Sequence, residues 1–228
     1  MAKPQNMSRR SMLQLGVVGG VGALGGKLMA ATPADPKCAT PPQIEGPFYP
    51  KRAQLDTDTD LTVIQGRSER AEGDVITIRG QVVDDLLHPV DGALVEIWQA
   101  NAHGRYHHDD DPNPAPEDPA FQGWGQVRTD AEGRYGFTTI VPGPYPVDAE
   151  WWRPPHIHFK VAKRGYHELI TQMYFAGHEL NAKDALLLAV PEEDRDRLVV
   201  ALREASAEEE PGTRHGTFNI VLQRVARG

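Results

Sequence analysis

The sequence predicts an all-β protein, built as an antiparallel β-sandwich with short helices and long loops. Three observations carry the prediction. From Asp74 onward, short runs rich in β-branched residues and alternating in polarity recur down the chain. Glycine, proline, aspartate or asparagine punctuate most of the gaps between those runs, as turns require. Helical patterning is confined to a stretch near the C-terminus, and the chain has no heptads and no 20-to-50-residue repeat.

In order along the chain, the first residues read as an address. Ser8-Arg9-Arg10-Ser11-Met12-Leu13 precedes a glycine-diluted apolar stretch from Leu15 to Gly26 and then Ala30-Ala31, a pattern similar to a twin-arginine export signal. Residues 1–31 are therefore expected to direct the protein to the periplasm or outside the cell. The apolar stretch is too short and too rich in glycine for a span, which takes about 20 apolar residues, so no stable membrane anchor is expected. Residues 32–72 read as an N-terminal arm and linker, proline-rich from Thr32 to Pro50 and polar through Arg70, with no core element.

Residues 73–228 read as the β-sandwich domain. Val75 to Val83 alternates and is β-branched, and the turn His88-Pro89-Val90-Asp91-Gly92 leads into Ala93 to Trp98, which predicts a strand pair. Further strands are expected at Gly133 to Val141, His156 to Ala162, Glu168 to Phe175 and Thr217 to Val225. One helix is expected from Glu192 to Ala205, with Pro191 at its start, acids in its first turn and Leu198, Val199 and Leu202 as an apolar stripe. A shorter one is expected from Asn181 to Leu188. The acidic triplet Glu208-Glu209-Glu210 reads as a solvated loop.

At 228 residues, with 39% hydrophobic and 25% charged side chains, the chain is long enough for one well-buried globular domain. Its formal net charge is −8, and the first 31 residues hold four basic side chains and no acidic one, so the rest is more acidic still. Such a body does not attract phosphates, and no nucleic-acid partner is expected. The single cysteine, Cys38, excludes an internal disulfide, so the core must hold the fold.

The segment richest in chemistry is Trp152-Arg153-Pro154-Pro155-His156-Ile157-His158-Phe159. Two prolines exclude a helix before His156, because proline lacks the amide donor and pushes its predecessor into the extended region, so His156 should open a strand. Residues two apart on a strand share a face, which points His156 and His158 the same way and Ile157 into the opposite layer. Two such imidazoles can grip one ion, and the same spacing also suits two surface histidines. Tyr106 in Gly104-Arg105-Tyr106 and Tyr145 in Pro142-Gly143-Pro144-Tyr145-Pro146 bring the potential ligands to four. A neutral phenol, with a reference pKa of about 10, is a poor ligand, so tyrosine coordination asks for a strongly Lewis-acidic cation such as ferric iron. Ferric iron with two phenolates, two neutral imidazoles and a hydroxide has no net charge, which makes the cluster far easier to bury than an isolated cation. A catechol dianion replacing hydroxide and one phenolate would leave the sum unchanged.

Tyr106, Tyr145, His156 and His158, in that order, resemble the ferric ligands of the intradiol ring-cleaving dioxygenases. Val95 to Asn101 leading into Gly104-Arg105-Tyr106, the Gly143-Pro144-Tyr145-Pro146 turn, Trp152 to Phe159, and Ile170 to Phe175 are all similar to the protocatechuate 3,4-dioxygenase branch. The likeness spans roughly Gly46 to Val225. It implies a non-haem Fe(III) cofactor, a small aromatic diol and O2 as substrates, and ring cleavage between the two hydroxyls to a muconate-type diacid. It also implies that Tyr106 and both histidines stay on the iron, that Tyr145 leaves when substrate chelates, and that Arg153 sits beside the substrate ring with Gln172 as a nearby hydrogen-bond donor. Tyr49 and Trp98 are implied near the substrate, Trp98 more as packing beneath the site. Where the protocatechuate enzymes usually place tryptophan two residues after the leaving tyrosine, this chain has Val147, so the pocket wall differs. The chain has no room for the N-terminal helical dimerisation region of the catechol branch, and a homo-oligomer or a monomer is open.

Two other readings use part of the same residues. Ile78 to Asp84 and Thr129 to Phe137 also resemble non-catalytic transthyretin-like and carboxypeptidase-regulatory sandwiches, which explain the strands and leave the four ligands idle. Both histidines with a carboxylate such as Glu150 could instead hold ferrous iron, zinc or copper. His103, His107 and His108 beside Asp109-Asp110-Asp111 read as a polar loop and stay outside the ligand set.

Overall fold

The computed structural model describes residues 39–51 and 56–226. The twin-arginine segment and Cys38 lie outside the described residues. Within them, eleven strands run in chain order: β1 (Val75–Asp84), β2 (Leu94–Trp98), β3 (Trp124–Arg128), β4 (Arg134–Ile140), β5 (Tyr145–Pro146), β6 (Trp152–Arg153), β7 (His156–Ala162), β8 (Leu169–Phe175), β9 (Val199–Val200), β10 (Arg214–Thr217) and β11 (Ile220–Leu222). The helical pieces are short: a 3₁₀ turn (Glu179–Ala182), α1 (Ala185–Leu188) and α2 (Glu192–Arg195).

Two sheets make the sandwich. In one, β1 pairs antiparallel with β4 and parallel with β10 and β11; in the other the order is β3-β2-β7-β8-β9. The core between them is apolar on both sides: Ile76, Ile78, Val82 and Phe137 from the first sheet meet Val95, Ile97, Ile157, Phe159, Val161 and Met173 from the second. Phe159 packs against Phe218 with ring centroids 4.9 Å apart.

Several expectations need correction. β1 and β2 do not pair; the His88–Gly92 turn folds back on β1 through Val90 N–H to Val82 O at 3.0 Å, and the chain then crosses to the other sheet. The expected helix from Glu192 to Ala205 stops at Arg195. Beyond it, Leu198 and Val200 are both buried, a period of two rather than 3.6, and Val199–Val200 pairs in parallel with Tyr174–Phe175. Two adjacent β-branched residues favour that edge over a helix. The expected helix from Asn181 to Leu188 divides into the 3₁₀ turn and α1, separated by Asp184, whose side chain caps α1. The expected C-terminal strand begins earlier, as β10, and is interrupted at Phe218 and Asn219 before β11. Strand β3 had no signal, because Gly123 and Gly125 dilute its pattern.

The arm is also more than a linker. Thr40 N–H donates to Val221 O at 3.1 Å and Gln43 N–H to Ile170 O at 2.8 Å, which ties it to the edges of both sheets. Leu61, in the stretch that read as polar, is fully buried in the core.

Candidate active site

Strand alternation divides the five-stranded sheet. Ile157, Phe159 and Val161 face the sandwich core, so His156, His158 and Lys160 face away from it. In-register pairing then builds a row across that outer face: Trp124 opposite Trp98, Trp98 opposite His158, and His158 opposite Gln172, with His156 opposite Tyr174 one step along. The two histidines thus sit at the start of the central strand of the sheet, where pairing with β8, and for His158 with β2 as well, fixes their Cα positions.

Loops bring the tyrosines over this face. Tyr106 follows the tight turn Asn101–Gly104, in which the Asn101 side-chain oxygen accepts from His103 N at 2.9 Å and Arg105 N at 3.0 Å. Tyr145 follows Gly143, whose N–H donates to Asn101 O at 2.9 Å. The loops touch through glycine. A Cβ on Gly143 would stand 2.5 Å from Ala102 O, and one on Gly104, which has φ +82°, would stand 2.4 Å from Pro144 O.

Four candidate ligand atoms come together as a result. Tyr106 Oη lies 3.1 Å from His158 Nε2 and 3.3 Å from His156 Nε2, and Tyr145 Oη lies 3.5 Å from His156 Nε2. All four side chains are buried. His156 Nδ1 donates to Pro154 O at 2.7 Å; a carbonyl only accepts, so Nε2 keeps its lone pair for the centre. His158 lies flat on Trp98, with centroids 4.7 Å and planes 10° apart, and its Nδ1 is buried without a hydrogen-bond partner among the described residues.

The donor set fits a metal. Ligands bonded at about 2.0–2.2 Å stand about 3 to 3.5 Å from their neighbours in the coordination sphere, the spacing of these atoms. Burial, helped by the positive charge of Arg153, holds both histidines well below the usual imidazole range, so they are neutral. Burial pushes Tyr106 well above the ordinary phenol value, the neighbouring Tyr145 adding to it, and burial raises Tyr145 against the opposing pull of Arg153. Two phenols whose pKa values are raised by burial lose their protons only if a strong Lewis acid binds the oxygens in their place, which suits a trivalent ion.

Arg153 lies behind this cluster, 4% exposed. Its Nε donates to Asp184 Oδ1 at 2.9 Å, and its Nη2 donates to Gln172 Oε1 at 2.6 Å and Tyr174 OH at 3.3 Å. Gln172 in turn donates from Nε2 to Ile44 O at 3.1 Å, so it holds Arg153 and the arm together. Phe48 packs on Tyr106 at 4.6 Å. Tyr49 donates to Glu96 Oε1 at 3.0 Å and stands edge-on to Trp98. Burial, reinforced by Glu96, pushes its phenol up to about 12. Val147, two residues after Tyr145, is 49% exposed.

Other candidates separate from the cluster. Glu150 is exposed, and among the described residues no three or more His, Cys, Asp or Glu side chains are placed to hold a metal, so the reading that pairs it with the histidines finds no geometry. His103 Nε2 contacts Glu72 Oε2 at 2.9 Å, His107 is exposed, and His108 accepts from Asp110 N at 3.1 Å. Sequence reasoning missed Asp184 and Tyr174. Tyr174 shares the alternation of Gln172 and could have been found from it; Asp184 sits in a segment with no periodic signal.

Comparison with known proteins gives the family of the chain. Residues 44–224 match the family described as dioxygenase. The chain is 43% identical over 184 residues to the protocatechuate 3,4-dioxygenase beta chain of Burkholderia cepacia, covering 78% of this chain and 76% of that one. The chain belongs to the intradiol ring-cleaving dioxygenases. Members of that family use non-haem iron. The chain is also 33% identical over 186 residues to catechol 1,2-dioxygenase 2 of Acinetobacter lwoffii, covering 73% of this chain but only 60% of the relative. Among solved structures, 3-chlorocatechol 1,2-dioxygenase from Rhodococcus opacus 1CP superposes with TM-score 0.65 at 29% identity, covering 83% of this chain and 75% of that one. The dioxygenase domain of a carbohydrate-binding fusion from Streptomyces sp. SirexAA-E gives TM-score 0.60 at 31% identity, covering 82% and 99%.

Proposed function

We propose that Tyr106, Tyr145, His156 and His158 hold one non-haem Fe(III), and that the chain cleaves a catechol-type ring between its hydroxyls with O2 to give a muconate-type diacid. The observation that carries this reading is that, in a buried pocket, Tyr106 Oη lies 3.1 and 3.3 Å from the Nε2 atoms of His158 and His156, and Tyr145 Oη lies 3.5 Å from that of His156. When bound, the iron supplies the Lewis acidity that lets the diol bind as a dianion and opens the ring to attack by O2.

The remaining work belongs to side chains of this chain. His156 is fixed by Pro154, His158 by the Trp98 stack, and Tyr106 by its backbone N–H to Asp111 Oδ2 at 2.7 Å. Tyr145 is the more exposed phenol, 9% against 4% for Tyr106, and sits on the two-residue strand β5. It is therefore the side chain that would yield to the incoming diol, its Oη taking up one of the diol's two protons while the other leaves to hydroxide or water. The Arg153 guanidinium, held in a pocket closed to water, stabilises the negative charge that builds on the ring. Val147 stands where the protocatechuate enzymes usually carry tryptophan, so the wall of the pocket differs there from theirs. Because residues 1–31 read as a twin-arginine signal, we place the enzyme in the periplasm or outside the cell.

The purified, iron-loaded protein is expected to be red-brown, with a tyrosinate-to-iron charge-transfer band and a high-spin ferric resonance. It should take up O2 with at least one of a panel of catechols and release a muconate-type diacid. A colourless protein with full metal content, or no uptake with any catechol, would overturn the proposal.

A further inference from the structure

Building on the ring-cleaving reading above, we propose that Asp184 is a positioning residue whose buried carboxylate fixes the Arg153 guanidinium in the orientation the reaction uses. Asp184 is 0% exposed and comes from the segment that opens α1, 31 residues beyond Arg153. Its Oδ1 accepts from Arg153 Nε at 2.9 Å and from Trp151 Nε1 at 3.2 Å, and its Oδ2 accepts from Leu187 N at 3.0 Å. The carboxylate is thus anchored by the first turn of α1 on one side while it grips Arg153 on the other.

At the far end of the guanidinium, Nη2 meets Gln172 and Tyr174, and both of these are held by the arm, Gln172 through Ile44 O and Tyr174 through Gln43 Oε1 at 3.0 Å. A planar fork fastened at two of its three nitrogens has little freedom to rotate. Nη1 has no hydrogen-bond partner among the described residues, and it is the donor left to meet an oxygen of the substrate. Asp184 also balances charge. A guanidinium buried beside a neutral metal cluster would otherwise stand uncompensated, and removing one partner of such a pair leaves the other strongly destabilising.

The test is a cycle of wild type, Asp184→Asn, Arg153→Ala and the double variant, each measured for kcat, KM, iron content, charge-transfer band and melting temperature. Asparagine keeps the size of the side chain and an acceptor oxygen for the α1 cap, but it loses the charge that grips Arg153. We expect D184N to lower kcat about 10- to 100-fold, with KM and iron content within about twofold of wild type, because a misplaced catalytic group is felt in the reacting step. In the R153A background the same substitution should change kcat less than about twofold, because its effect travels through Arg153. Wild-type kcat in D184N, or an equal fall in both backgrounds, would overturn the proposal and leave Asp184 a support of the fold. If D184N does not accumulate as folded protein, the double variant decides: recovery of folded protein on removing Arg153 supports the coupling, and failure of both overturns it. If the wild type cleaves no diol, the functional reading falls, and the melting-temperature cycle still tests the Asp184–Arg153 coupling by whether the two effects are non-additive.

Discussion

On β7, Ile157, Phe159 and Val161 point into the sandwich, and His156, His158 and Lys160 point the other way, under the loops. Both histidines, at 2% and 3% exposure, are nearly as closed to water as Ile157 between them at 0%. The inner face is sealed by a second sheet and asks only for apolar volume of the right shape. The outer face is sealed by the arm, by the Tyr106 loop and by the Tyr145 turn, each held by specific hydrogen bonds, and it buries polar side chains, among them His158, whose Nδ1 has no hydrogen-bond partner among the described residues. One strand therefore carries two kinds of interior. The first should govern stability and tolerate repacking; the second should govern metal and turnover and tolerate almost nothing.

The sharpest way to break the comparison is on the outer face. His156→Ala or His158→Ala is expected to lose most of the iron and essentially all turnover while the protein stays folded, measured by metal analysis beside a thermal melt. A variant that keeps stoichiometric iron and wild-type turnover would remove that histidine from the site. Gly143→Ala should come next. Its Cβ has no room against Ala102 O, so the two tyrosine loops must part, and a shift on the order of 1 Å can lower kcat about 100-fold.

Phe159→Ala tests the inner face. Deleting a fully buried phenylalanine should destabilise the fold by about 3–5 kcal/mol in denaturant titration, with iron per folded molecule unchanged. Loss of iron in proportion to stability would erase the distinction between the faces. The smallest effect is expected far from both, at Arg203, whose guanidinium grips Glu209 with two bonds of 2.7 and 2.8 Å. The hydrogen bond from Arg203, then that from Ser206 N–H, holds the Glu209 carboxyl below the usual range. A depressed folded-state value means that the contribution is present above the ordinary carboxylate pKa of about 4.3 and is lost as pH falls below it. Arg203→Ala should therefore lower the melting temperature slightly at pH 7 and by less at pH 3, with turnover unchanged. An equal loss at both pH values would show that the pair contributes through something other than charge.

Local constraint explains what was legible in the chain. Pro154-Pro155 forces extension, β7 begins at His156 as that predicts, and a two-residue repeat then places both imidazoles on one face whatever the rest of the protein does. The same alternation located β1, β4 and β8 to within a residue or two. Signals failed where a partner distant in sequence decides the outcome. Leu198, Val199 and Leu202 fit a helical stripe, yet the open edge of β8 captures Val199–Val200 as a strand. Glu209 lies in an acidic triplet that reads as solvated, and Arg203 and Ser206 fold it into a clasp.

Residue chemistry and strand period, both properties of a few neighbouring residues, were enough to mark the side chains able to bind a trivalent ion and to aim two of them. The meeting of the phenols with the imidazoles, the closing of the arm over them and the reach of Asp184 to Arg153 came from long-range packing. Those contacts depend on how glycine-lined loops and sheet edges far apart in the chain come to lie against one another, and no local pattern encodes that.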